Sequence, residues 1–149
     1  MPLNIRVDER ILEKAPQRLL LLSVIAMSEA KYRFKLNPAT VIITSGLNPD
    51  LNLNLHCKSK DDDLGSHVIP HGTEYKFGFQ PHFFGVTQFW CGFSWKNSGQ
   101  ERMFDIYIQN RDYPLCDVCK WVIQDKGPCM FLPKTPKPYN CTVCYPWNP

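Results

Sequence analysis

Seven cysteines carry most of the reactive chemistry in this sequence: Cys57, Cys91, Cys116, Cys119, Cys129, Cys141 and Cys144. Cys116-Asp-Val-Cys119 and Cys141-Thr-Val-Cys144 form two CxxC pairs, with residues 120–140 between them. Four thiolates at that spacing can close a tetrahedral zinc site. In an oxidising compartment the same thiols form disulfides. Three cysteines fall outside the two pairs, and Trp121-Val122 runs straight on past Cys119 as an extended segment where a zinc knuckle would make a tight turn. Two or three disulfides are therefore expected, with no metal, and one thiol is left over because seven is odd.

The other candidates for chemistry are weaker. His56, His67, His71 and His82 are spread over strand and loop positions. A pistil-type ribonuclease would need a catalytic His in a motif like HGLWP, and Pro70-His71-Gly72-Thr73 lacks it. Asp61, Asp62 and Asp63 are consecutive, whereas a calcium loop spaces its carboxylates on alternate residues to wrap the ion. Three in a row read as a solvated loop whose carboxylates hold backbone amides. There is no GxSxG, no phosphate-cradling glycine loop and no HExxH. No catalytic residue and no cofactor is assigned. Asn140-Cys141-Thr142 is a glycosylation sequon.

The elements that must position these residues follow from composition and periodicity. The chain has 149 residues, 44% hydrophobic and 13% aromatic, with 13 prolines, which suits one domain of short strands and turns. Net charge is +3, with 17 basic side chains scattered among 14 acidic ones, so nothing points to nucleic acid. Leu51–Lys58 alternates without error, Leu51, Leu53, Leu55 and Cys57 on one face. Strands are also expected at 39–47, 67–69, 74–80, 87–96, 102–109, 119–123 and 129–132, with turns at Pro70–Thr73, Pro81–Gly85, Asn97–Gln100 and Gly127-Pro128. Gln109–Val118 reads as a loop, and no helix is expected in this part. About seven to eight antiparallel strands with one-sided aromatic faces need two packed sheets, so the expected fold is a small disulfide-stabilised all-β sandwich. Trp90 and Tyr107 fall on outward faces; Cys57, Cys91 and Cys119 fall on inward ones. On that reading Cys91–Cys119 is the first choice for a core bridge and Cys57–Cys129 the second.

Residues 1–30 read as a separate object. Arg6, Arg10, Lys14 and Arg18 precede the apolar run Leu19–Met27, and Ser28-Glu29-Ala30 offers the small-x-small cut of a secretory signal peptide. The run is far shorter than the roughly 20 residues of a membrane span. Residues 31–149 would be the mature sandwich domain.

Several segments together resemble the plant self-incompatibility S-protein family: LHCKSKDDDLGSHVI (Leu55–Ile69), YKFGFQPHFFGVTQFWCGFSW (Tyr75–Trp95), FDIYIQNRDYPLC (Phe104–Cys116), CKWVIQDKGPC (Cys119–Cys129) and CYPWN (Cys144–Asn148). The resemblance implies a secreted, disulfide-held β-sandwich. It further implies a non-enzymatic ligand, recognised by a cell-surface receptor, whose best-known relatives trigger calcium signalling and death of self pollen. Cys57, Cys91, Cys116, Cys119, Cys129 and Cys144 match the family's pattern and Cys141 does not, which makes Cys141 the candidate odd thiol. A monomer with no membrane insertion is expected. Recognition is expected on loops, which a rigid sandwich can present. Gln109, Asn110, Arg111 and Asp112 are the candidate contacts, while Asp61, Asp62 and Asp63 are expected to serve the fold.

Overall fold

In the computed structural model residues 17–33, 36–132 and 142–149 are described, with side chains of 17–25 only in the helix. The chain divides into two units, residues 1–35 and 36–149. The first contains helix α1 (Gln17–Arg33). Its Leu19, Leu20, Leu21, Leu22, Val24 and Ile25 are all more than half exposed. Among the described residues no helix is long and apolar enough to cross a membrane.

The second unit is built from strands β1 (Ala39–Ser45), β2 (Leu53–Ser59), β3 (Asp63–Ile69), β4 (Glu74–Phe79), β5 (Gln88–Ser94), β6 (Arg102–Ile108), β7 (Val118–Gln124), β8 (Gly127–Phe131) and β9 (Thr142–Cys144). One short helix, α2 (Gln109–Asp112), follows β6. The strands form two sheets, β4-β1-β7-β8-β9 and β3-β2-β5-β6. The pairing of β1 with β7 is parallel and the rest are antiparallel. The two inner faces meet in one core, as the one-sided apolar strands require. Val41 and Ile43 of β1, Leu53 and Leu55 of β2, Phe93 of β5, Ile106 of β6 and Trp121 and Ile123 of β7 are all buried in it.

Period-two alternation breaks at two β-bulges. Between the pairs Phe89↔Tyr107 and Cys91↔Phe104, β6 contains one more residue than β5. The extra residue flips the side-chain alternation. Tyr107 is therefore buried, against the outward placement expected for it, and Ile108 is only partly covered. The second bulge lies between His56↔Ser66 and Lys58↔Asp63, with Gly65 at φ +76 on the bulged strand. As a result β3 starts at Asp63, inside the stretch read as a polar loop.

Other differences have equally local causes. Gln109–Asp112 makes a helical turn, closed by Tyr113 N–H donating to the Gln109 carbonyl at 3.0 Å, where a loop was expected. Gly127 and Pro128 belong to β8, not to a turn before it. The Pro-rich tail supplies a ninth strand: β9 pairs Cys144 with Cys129 on the edge of the first sheet. The residues after it close the sandwich. Tyr145 N–H donates to the Pro128 carbonyl and Asn148 N–H to the Met103 carbonyl, 2.9 and 3.0 Å. Trp147 packs at a tilt against Phe93 and Trp95. Gly127, at φ +145, is required here, because a Cβ would collide with the Tyr145 carbonyl.

Candidate functional site

Three disulfides join the six cysteines named by the resemblance: Cys57–Cys91, Cys116–Cys119 and Cys129–Cys144. The expected bridges Cys91–Cys119 and Cys57–Cys129 are not the ones formed. Cys57 and Cys91 are register partners on neighbouring strands β2 and β5, so each already faces the other. Cys119 lies in the opposite sheet and meets Cys116, three residues earlier and equally buried. The two CxxC motifs therefore do not assemble into a zinc site, since three of their thiols are spent in bridges. Cys141 and Asn140 lie outside the described residues. Among the described residues no three His, Cys, Asp or Glu side chains are grouped to hold an ion.

The histidines are held in separate local roles. His71 Nδ1 and His67 Nε2 sit 2.5 and 2.8 Å from the carbonyls of Leu47 and Leu64, so each donates there. The His67 ring also stacks on Tyr75 at 4.1 Å, joining β3 to β4. His56 lies between two polar partners: Asp63 Oδ1 is 2.5 Å from Nε2, and Ser66 Oγ is 3.4 Å from Nδ1. This is a hydroxyl–imidazole–carboxylate sequence, but an open one. Asp63 is 57% exposed, and the long contact between His56 Nδ1 and Ser66 Oγ is beyond ordinary O–H···N range.

The acidic loop uses its three carboxylates unequally. Asp63 accepts from Gly65 N–H at 3.0 Å, pairs with His56 and lies 3.6 Å from Lys58 Nζ. The His56 hydrogen bond, followed by the Gly65 amide, lowers its pKa from 3.8 to about 2. Asp61 and Asp62 were expected to tie backbone amides in the same way. Instead Ser59 Oγ accepts from both of their N–H groups, at 3.3 and 3.0 Å, and their carboxylates stand at an exposed edge.

The segment expected to touch a partner is for the most part built into the domain. Gln109 and Asp112 are 4% and 0% exposed. Asp112 accepts from Ile108 N–H at 2.8 Å and, bidentately, from Arg111 Nε and a terminal guanidinium nitrogen at 2.6 and 2.8 Å. Arg111 also donates to the Asp105 carbonyl at 2.8 Å. Its guanidinium sits 5.4, 5.2 and 5.1 Å from the ring centres of Phe104, Trp121 and Tyr145. Two core strands and the tail thus meet on one cation, an arrangement worth about 0.5–2 kcal/mol for a single good ring contact. Asn110 alone of the four has an exposed side chain.

Gln109 uses its buried amide on the β4–β5 connection. It donates to the His82 carbonyl at 2.7 Å and accepts from Thr87 N–H at 3.2 Å, while its own N–H donates to the Thr87 carbonyl. Thr87 Oγ1 accepts from His82 N–H at 2.7 Å, and Gly85, at φ +74, closes the turn by donating to the His82 carbonyl. Out of this clamped loop project Phe83, Phe84 and Val86, 56%, 78% and 68% exposed. A cleft of about 460 Å³ separates the loop from the Ser59–Asp62 edge. Read from sequence, Pro81–Gly85 is only a break between strands. The available signal is its composition, since PHFFGV puts two Phe and a Val where a turn ordinarily carries polar residues.

A small sandwich locked by three disulfides has the build of a domain from an oxidising compartment. The chain belongs to the plant self-incompatibility S1 family: the family model described as "Plant self-incompatibility protein S1" matches residues 40–147. Among its relatives in Arabidopsis thaliana, S-protein homolog 5 is 45% identical over 74% of this chain and 79% of the relative. S-protein homolog 3 is 41% identical over 86% of this chain and 87% of the relative. A solved structure of a self-incompatibility protein homologue, described as one of "a widespread family of small, highly stable, secreted proteins from plants", shares the fold. Its TM-score is 0.54 at 16% identity, covering 76% of this chain and 97% of that one.

Proposed function

We propose that this member of a family of secreted plant proteins acts as an extracellular ligand, without catalysis, read by a cell-surface protein. The observation that carries the reading is the division of labour in the sandwich. Three bridges and the Arg111–Asp112 ion pair fix the frame, and the two most exposed phenylalanines among the described residues, Phe83 and Phe84, stand on a loop that the frame clamps. Export through a leader ending near Ala30 completes the proposal. It is tested by expressing the full chain in plant cells, sequencing the N-terminus of the medium form, and measuring saturable binding of that form to intact plant cells. Retention inside the cell with Met1 intact, or binding that never saturates, refutes it. A second reading, a secreted hydrolase, is favoured by one observation, His56 between Ser66 and Asp63. Turnover of RNA or an ester that disappears in His56→Ala would establish it.

A further inference from the structure

We infer that the Phe83–Val86 loop is the anchor of the recognition surface, and that its occupant is a protein pocket lined by apolar side chains and flanked by Lys or Arg; the inference rests on the ligand reading above. Scattered exposed apolar residues are ordinary, whereas Phe83, Phe84 and Val86 expose three such side chains within four residues. Aromatic residues are enriched at the cores of protein interfaces, and anchors seated in a partner's pocket carry a large share of the binding energy.

The loop is ordered before any partner arrives. Gln109 holds both of its ends through His82 and Thr87, and Phe84 N–H donates to His82 Nδ1 at 3.2 Å. Gly85 rests on Asn110, whose Oδ1 lies 2.9 Å from where a Cβ would be. Ordering a loop in advance removes part of the entropy that binding would otherwise cost. Residues 109–110 therefore act on recognition as positioning residues, through the loop they hold.

Charge selects between a protein and a membrane as the occupant. The cleft beside the loop is edged by Lys60, Asp61 and Asp62 on one side and by His82, Val86 and Trp90 on the other. Two carboxylates against one ammonium leave that edge negative. That edge gives an anionic membrane no basic patch to bind, even though the chain as a whole carries +3, while a protein pocket with basic flanks gains attraction and orientation from it.

The test uses the oxidised, secreted chain, labelled, with two probes: right-side-out plant plasma-membrane vesicles, and protein-free liposomes of phosphatidylcholine and phosphatidylserine. Phe83→Ser/Phe84→Ser should weaken vesicle binding about ten-fold or more with little change in melting temperature. Asp61→Lys/Asp62→Lys should weaken it several-fold and reverse its salt dependence. Val68→Ser, which alters an exposed apolar residue on β3, should leave it unchanged. Trypsin treatment of the vesicles should abolish it, and the liposomes should not bind. Wild-type binding that is saturable but indifferent to Phe83→Ser/Phe84→Ser overturns this inference and leaves the ligand reading standing. Equal binding to the liposomes assigns the loop to lipid and overturns it. Absence of saturable binding by the wild type overturns both.

Discussion

Replacing Asp112 by Ala should destabilise the protein as much as a core truncation does. The carboxylate is 0% exposed and accepts three hydrogen bonds, from Ile108 N–H and twice from Arg111. Removing it strands a backbone donor, at about 1–3 kcal/mol. It also leaves the guanidinium without its counter-ion. Breaking one partner of a buried pair costs roughly 3–5 kcal/mol, and since the Arg111 side chain is 21% exposed the lower end applies. These contributions overlap, so the expected total is about 3 kcal/mol, or roughly 10–15 °C in melting temperature for a domain of this size. Arg111→Lys keeps the charge but loses the fork and the three-ring seat, and should cost about 1–2 kcal/mol. Asn110→Ala, at an exposed side chain, should stay within about 0.5 kcal/mol. Urea titration followed by tryptophan fluorescence measures all three, with an unchanged slope confirming that only stability has moved. Asp112→Ala within about 0.5 kcal/mol of wild type, combined with loss of cell binding, would refute the reasoning and return residues 109–112 to direct contact with a partner.

Three further outcomes follow from the same frame. Cys57→Ala/Cys91→Ala opens a bridge with a sequence separation of 34 and should cost about 4 kcal/mol in denaturant titration, whereas opening Cys116–Cys119, separation 3, should cost about 2 kcal/mol. Asp63 titrates in the folded state at about 2 instead of 3.8, so its contribution is full above 3.8 and is lost as pH falls toward about 2; the gap in melting temperature between wild type and Asp63→Asn should narrow over that interval, and a constant gap would contradict it. Burial, with Asp112 nearby, pushes the Tyr107 phenol up to about 12. Its contribution is full below 10.0 and is lost as pH rises toward 12, so ultraviolet titration should show one phenolate appearing only with alkaline unfolding, and Tyr107→Phe should remove that late step.

How much of this was legible in the sequence depends on whether the information was local. Alternation over Leu51–Lys58 places β2 to within two residues, and the inward set Phe89, Cys91 and Phe93 is the one that packs. A bulge is invisible from one strand, because it exists only relative to a partner's register; hence the misplaced Tyr107 and the late recognition of β3. The bridges fail for the same reason. Knowing that Cys57 and Cys91 face inward does not say that β2 and β5 are neighbours. Arg111 and Asp112 look solvated within Gln-Asn-Arg-Asp, since the rings that enclose the guanidinium come from three separate elements, β6, β7 and the tail, whose meeting point no single segment reveals. The exposed Phe83 and Phe84 were legible in composition, but only the Gln109 clamp separates a presented loop from a loose break.

The account's central claim is that a disulfide-fixed surface is read by a protein on the cell exterior. Displacement on intact plant cells tests it most directly: labelled secreted protein is bound, then chased with unlabelled native protein or with the same protein reduced and carboxymethylated. The account predicts full displacement by the native form at nanomolar to micromolar concentration, roughly −12 to −8 kcal/mol, and none by the reduced form. Displacement by the reduced form at the same concentration, or none by either, would contradict it.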